Sequence, residues 1–154
     1  MDGLSIAASV IAVVDVSVKV TALCSQYITA VKGAKNEIEC IQNKVGDIIG
    51  IMKKIEELLD GPQKAQLSTT HGLFESLDQC LQQLQQLKEQ LEPRKIRKFM
   101  RWIGFRALRW PFTSKQVKDT LSSLEAYKDS FILAIQVDQM QVLCSFFLSA
   151  MESG

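Results

Sequence analysis

Between residues 34 and 60 the apolar residues Ile38, Ile41, Val45, Ile48, Met52, Ile55 and Leu59 recur at alternating steps of three and four. At 3.6 residues per turn that spacing draws one stripe along one side of a helix, whereas a period of two would scatter the same residues over both faces of a strand. The stripe stops at Asp60-Gly61-Pro62, where glycine suits a helix C-cap and proline cannot continue the helix. A helix with one apolar side cannot be stable alone, so the rest of the chain must supply partners for it.

Partners of the same kind are present. A third segment repeats the spacing with Phe74, Leu77, Leu81, Leu84 and Leu91, Lys88 taking one seam position, in a glutamine-rich run that ends at Pro93. A fourth, from Ser114, places Val117, Leu121, Leu124, Phe131 and Ile135 on one face with Lys128 in the seam, and its tail to Gly154 remains helix-compatible. The valine-rich start favours strands by propensity alone, yet its length and its small-residue spacing decide for a helix. With 154 residues, 47% of them hydrophobic, the chain suits one domain with one core. The expected fold is all-α: an up-and-down bundle of four long helices plus a short basic helical segment, occupying residues 1–139, with 140–154 as a helical extension or tail. A long coiled coil fits less well, because each seam runs for only three or four heptads before a turn.

From Gly3 to Val31 only Asp15 and Lys19 are charged, and a helix of that length reaches roughly 40 Å, more than the hydrocarbon core of a bilayer. Leu4, Ile6, Val10, Ile11, Val13, Val14 and four further large aliphatic residues up to Leu23 each favour insertion, by about −0.3 to −0.6 kcal/mol. Asp15 and Lys19 each oppose it by about +2.5 to +3.5 near the centre. The balance is close to zero or unfavourable, so the segment is expected to stay soluble unless oligomer contacts let Asp15 and Lys19, four residues apart on one face, pair or line water. Gly3 with Ala7, Ser5 with Ser9 and Ala8 with Ala12 have the spacing that lets helix backbones approach closely. The competing expectation is a central helix buried on all sides of a soluble bundle.

The chain has a net charge of +1, but Arg94, Lys95, Arg97, Lys98, Arg101, Arg106 and Arg109 follow one another with no acidic residue between them. That stretch carries all of the positive excess and includes Trp102, one of two tryptophans. As a helix it sets Ile96, Phe99, Met100, Ile103 and Ala107 in one stripe and Arg94, Arg97, Lys98 and Arg101 away from it, with Trp102 and Phe105 on the cationic side. Cations beside interfacial aromatics suit an anionic lipid surface. Nucleic-acid phosphates would attract the same charges, but they rank lower because a nearly insertable helix shares the domain and no nucleic-acid motif occurs. A solvated basic loop whose aromatics close the end of the bundle is the plainer alternative, and Trp110-Pro111-Phe112 is expected to act as such a cap.

No phosphate loop, dinucleotide fingerprint, nucleophile elbow or histidine metal motif is present. His71 is the one histidine, and Cys24, Cys40, Cys80 and Cys144 lie too far apart for a C-x-x-C pair. The expectation is therefore no enzyme activity, no cofactor, no metal, no small-molecule substrate, and reduced thiols that serve packing. Met1-Asp2-Gly3 lacks a secretory pattern, which points to the cytoplasm.

Five blocks of sequence carry a family resemblance: Met1-Asp2-Gly3-Leu4-Ser5-Ile6-Ala7-Ala8-Ser9-Val10-Ile11-Ala12-Val13-Val14, then Ala30-Val31-Lys32-Gly33-Ala34-Lys35-Asn36-Glu37-Ile38, and later Leu108-Arg109-Trp110-Pro111-Phe112, Leu124-Glu125-Ala126-Tyr127-Lys128 and Gln136-Val137-Asp138-Gln139. Over residues 1–139 the chain resembles the HeLo-like N-terminal domain of fungal STAND (NLR-like) proteins. The resemblance implies a helical bundle that executes regulated cell death or incompatibility, self-associating on activation and permeabilising the plasma membrane, in receptors where an NTPase and a repeat sensor follow. Under it, Leu4, Ile6, Val10, Ile11, Val13, Val14, Asp15 and Lys19 belong to the inserting helix, and Arg94, Lys95, Arg97, Lys98, Arg101, Trp102, Arg106 and Arg109 to a patch that contacts anionic lipid. A homotypic adaptor domain without membrane insertion is the rival, and an RNA-binding helical module rests on the basic patch alone.

Overall fold

The computed structural model describes residues 3–61, 72–92 and 109–153, the side chains of 3–5, 138 and 141 excepted. His71 and the short basic helical segment lie outside the described residues. Those described form four helices, α1 (Gly3–Ala30), α2 (Lys35–Asp60), α3 (Leu73–Leu91) and α4 (Ser114–Glu152), and no strand.

All seven stripe residues of α2, from Ile38 to Leu59, are buried. Gly61 caps α2 as the sequence predicts, but not in a left-handed conformation. Gly61 is extended, at φ −93°, and its N–H donates to the Leu58 carbonyl at 3.3 Å. Positive φ occurs instead at Gly72, before α3, and at Gly33, at φ +100° in the four-residue link between α1 and α2, where a side chain on an L-residue would crowd the backbone.

The stripe of α3 is rotated from the one expected. Leu73, Leu77, Cys80, Leu84, Leu87 and Leu91 are buried, while Phe74 and Leu81 are only partly buried. Lys88 is at the margin and pairs with Glu92 at 3.4 Å rather than taking a core position. In α4 Val117, Leu124, Phe131, Ala134 and Ile135 are buried and Leu121 lies at the edge. Lys128 reaches across to Asp47 at 3.6 Å, which accounts for a lysine in that seam. Thr113 starts α4 with a capping box: its hydroxyl accepts from the Gln116 N–H at 3.2 Å, and Gln116 Oε1 accepts from the Thr113 N–H at 2.9 Å.

α1 is not buried on all sides. Ile6, Val10, Val13, Val16, Ser17, Val20, Cys24 and Tyr27 face the core, while Ile11 is 60% and Val18 53% exposed on the opposite side.

Three long-range contacts fix the topology. The Tyr27 hydroxyl donates to the Leu91 carbonyl at 2.8 Å, joining the C-terminal ends of α1 and α3. Trp110 Nε1 and Ser114 Oγ donate to the Glu37 carboxylate at 3.3 and 3.0 Å, joining the N-terminal ends of α2 and α4. The α1–α2 link brings all four of these ends together, so the helices run up, down, up, down. α1 packs on α2 and α3, α4 packs on the same two, and α1 and α4 occupy opposite corners.

Ile48→Asp, which puts a charge at a fully buried site, is expected to unfold the bundle, since an unpaired buried charge costs several kcal/mol. Leu81→Asp should cost distinctly less, a contrast that chemical denaturation will measure. Gly33→Ala is expected to cost about 1–2 kcal/mol through its backbone angle alone, because no atom lies within 4 Å of the added methyl group. A melting temperature unchanged from the parent would show that the link relaxes.

Candidate functional site

The two ends of the bundle differ in chemistry. At the end that gathers the α1–α2 link, aromatic rings and one carboxylate close the core. Trp110 is edge-on to Tyr27, with ring centroids 5.5 Å apart, and edge-on to Phe112 at 5.0 Å. Glu37 satisfies the indole N–H that this packing half-buries. The expected cap at Trp110-Pro111-Phe112 is therefore present, and Tyr27 joins it. The signal for Tyr27 and Glu37 could not be read from spacing, because their partners lie 64 and 73 residues away. Arg109 is exposed at this end. Arg94, Lys95, Arg97, Lys98, Arg101, Trp102 and Arg106 lie outside the described residues.

Along the α2–α4 seam Lys44 pairs with Glu125 and Lys128 lies 3.6 Å from Asp47 and 3.9 Å from Glu125. The hydrogen bond from Lys44 holds the Glu125 carboxyl below the usual carboxylate range, and the same bond raises the Lys44 ammonium. Both pairs share one register offset. Continued along the parallel helices, it sets Asp60, the last residue of α2, level with Gln141 of α4. About eleven residues of α4, roughly 16 Å of helix, therefore project beyond the bundle. Met140, Leu143, Phe146, Phe147, Leu148 and Met151 are all exposed there, Phe146 to 71%.

Among the described residues two helices are long and apolar enough to cross a membrane by length and composition, over Ile6–Ala30 and Ser114–Glu152. A core helix can pass the same test, and burial weighs that explanation. In the most apolar stretch of the first 33% of residues are buried, and in that of the second only 19%. Core packing accounts for part of α1 and little of the end of α4. Among the residues expected to insert, Ile6, Val10 and Val13 are in the core and Val14 is partly buried, while Ile11, Asp15 and Lys19 face solvent. The side chain of Leu4 is outside the described residues. Asp15 and Lys19 form an ion pair at 3.0 Å, as their spacing predicts. These residues share one helix but not one surface, so α1 must leave the bundle before they can act together. Ser17 Oγ is fully buried on the core face with no hydrogen-bond partner among the described residues; a hydroxyl buried without a partner costs about 1–3 kcal/mol.

Among the described residues no group of His, Cys, Asp and Glu is placed to hold a metal. A shallow groove of about 220 Å³ between α3 and α4 is lined by Gln83, Gln86, Gln90, Gln116, Asp119 and Thr120 with Leu87 and Phe112. It is smaller and more polar than ordinary small-molecule sites. Of the cysteines, Cys24 and Cys80 are buried, burial pushing the Cys80 thiol up to about 12, while Cys40 and Cys144 are exposed. The expectation of packing thiols thus describes two of the four.

The architecture is that of an all-helical bundle domain with one aromatic-capped end and one projecting apolar end. The chain belongs to the family described as pigment biosynthesis cluster protein PigL N-terminal, whose model matches residues 1–144. No curated protein and no solved structure matches the chain.

The ion pair sets a pH dependence. Glu125, depressed in the fold, adds stability that is present above the ordinary carboxylate range and is lost as pH falls through its lowered value. Lys44, raised, adds stability that is present below the ordinary lysine value and is lost as pH rises through its raised one. Thermal melts are expected to fall more steeply on acidification in the parent than in Glu125→Gln, and an equal slope would place the acid sensitivity elsewhere.

Proposed function

We propose that the chain is a non-enzymatic cell-death effector domain of the HeLo-like kind, which self-associates on activation and permeabilises membranes through α1. The observation that carries the reading is α1 itself: a helix long enough to span, apolar on its solvent side at Ile11 and Val18 as well as on its core side. A helix needed only for the core has no use for aliphatic residues on both faces. The 3.0 Å pairing of Asp15 with Lys19 offsets part of the charge penalty that opposes insertion. The resemblance of the opening sequence to HeLo-like domains supports the same reading. In it, the protein waits in the cytoplasm and moves to the plasma membrane, and Arg109 with the basic residues before it contacts anionic lipid. The family description names a pigment biosynthesis cluster protein, and those words belong to the protein that gave the family its name.

Leaving the bundle has a cost. Five large aliphatic side chains of α1 are buried, Ile6, Val10, Val13, Val16 and Val20, and at about 1.5–3 kcal/mol each their exposure costs on the order of 10 kcal/mol. Self-association and lipid contact have to supply that energy, so the monomer in water keeps α1 docked.

Substitution on the solvent face of α1 separates insertion from folding. Ile11→Glu and Val18→Glu alter exposed positions and should leave helix content and melting within about 0.5 kcal/mol of the parent. In a spanning helix each adds about 2.5–3.5 kcal/mol of penalty. The expected result is a folded protein that no longer releases dye from phosphatidylserine-containing vesicles, with Ile11→Leu leaking like the parent. Full leakage by both glutamate variants would mean that α1 does not insert. An assembly that forms without any leakage by the parent would favour the homotypic adaptor.

A further inference from the structure

α1 carries two heptad seams on opposite sides. The inner one, Ile6, Val10, Val13, Ser17, Val20, Cys24 and Tyr27, is buried in the bundle. The outer one, Ala8, Ile11, Asp15, Val18, Ala22, Ser25 and Thr29, recurs at the same alternating steps of three and four, and every one of its residues is exposed. At 100° per residue the outer seam covers an arc of about 100°, a width that a single partner helix can cover. α1 stands at one corner of the bundle with α4 diagonally opposite, so this seam faces away from the other three helices. We infer that the outer seam of α1, from Ala8 to Ser25, is the surface on which two copies of the folded chain pair, their α1 helices antiparallel.

Charge decides the occupant and its direction. Asp15 sits in the middle of the seam with Lys19 on its flank, 3.0 Å away within the same helix. When two such seams meet antiparallel, Asp15 lies level with Val18 of the second copy, Ile11 with Ala22, and Ala8 with Ser25. Lys19 then comes within one residue of Asp15 of the second copy, about 1.5 Å along the axis. Each carboxylate gains a second ammonium group beside its own, and Ile11 and Val18 leave water. A parallel pair would set Asp15 against Asp15 and Lys19 level with Lys19, which like-charge repulsion opposes. A lipid surface would take Asp15 into an apolar phase with no counter-charge beyond Lys19. A seam that becomes its own electrostatic complement on reversal fits a second copy of the chain. The antiparallel pair has its two-fold axis between residues 16 and 17, so it closes as a dimer. Pairing of this kind deepens the self-association in the proposed function and rests on that part of it alone, since α1 stays docked throughout.

The test is sedimentation equilibrium of the whole chain in buffer without lipid. The parent is expected to show a concentration-dependent equilibrium between monomer and dimer. Asp15→Lys and Lys19→Asp change exposed side chains and should leave melting unchanged, yet each gives the seam charge of one sign and should weaken dimerisation at least tenfold. Mixing the two variants should restore association, as heterodimers, and so should both substitutions in one chain. Direction is read by disulfide capture in Cys40→Ser with Cys144→Ser, which removes the exposed thiols. Ile11→Cys mixed with Ala22→Cys should cross-link, and Val18→Cys alone far less. A parent that stays monomeric at millimolar concentration overturns the dimer. So do single reversals that associate like the parent, which would move the contact to another face such as the exposed end of α4, and so does capture of Val18→Cys with itself in preference to the mixed pair. Dye release from vesicles is read in parallel: dimers in water without release keep the pairing and remove the insertion of α1, and release by a parent that forms no dimer in water does the reverse.

Discussion

A bundle of four helices can cover only the inward side of each, and the two outer sequences with the most apolar residues, α1 and α4, carry more than that side can hold. α2 and α3 obey the limit: their buried residues form single stripes flanked by lysine, glutamate, aspartate and glutamine. α1 exceeds it sideways, with Ile11 and Val18 outside, and α4 exceeds it lengthwise, with 39 residues against 26 in α2. Both excesses follow from sequence that packing does not require.

The corner arrangement decides what the molecule can give up. α1 and α4 sit diagonally, each against α2 and α3, so departure of α1 would leave the Lys44–Glu125 and Lys128–Asp47 pairs between α2 and α4 intact. The contacts that would have to break are the aliphatic stripe of α1, the Gln42 side-chain bonds to the Thr21 carbonyl and Ser25 hydroxyl at 3.2 and 2.8 Å, and the Tyr27 bond to Leu91. Tyr27 also meets Trp110 edge-on, which ties the C-terminal end of α1 to the aromatic cap.

What could be read in the sequence depended on how many apolar residues each helix has to spare. α2 was legible residue by residue, because its stripe from Ile38 to Leu59 is complete at one strict spacing. In α3 two apolar diagonals run side by side, Phe74-Leu81 and Leu73-Cys80-Leu87; packing selects the second, and spacing alone does not separate them. The orientation of α1 was hard to read, since only Asp15 and Lys19 mark its solvent side and Ile11 and Val18 lie on that side with them. Gly61 caps α2 as expected, in extended backbone that needs no left-handed freedom. The polar lock on Trp110 depends on Glu37, a surface-type residue in the first turn of another helix, and only the fold brings them together. The extension after residue 139 was legible as helix, but its exposure follows from the α2–α4 register, which no local pattern encodes.

That register also constrains how the chain can meet a bilayer. The basic stretch is bounded by Glu92 at the end of α3 and by Arg109 just before α4, both at the aromatic-capped end, whereas the start of α1 lies at the other. The 26 residues of α2 separate the ends by about 39 Å. At physiological ionic strength charges are screened over about 8 Å. In the proposed reading, a folded bundle that meets a bilayer with the end where α1 starts holds Arg109 too far from the headgroups to gain from their charge. Arg109 and the N-terminal turns of α1 then cannot both reach one membrane surface while α1 stays docked, and insertion by way of Arg109 would require the bundle to turn over or α1 to leave it.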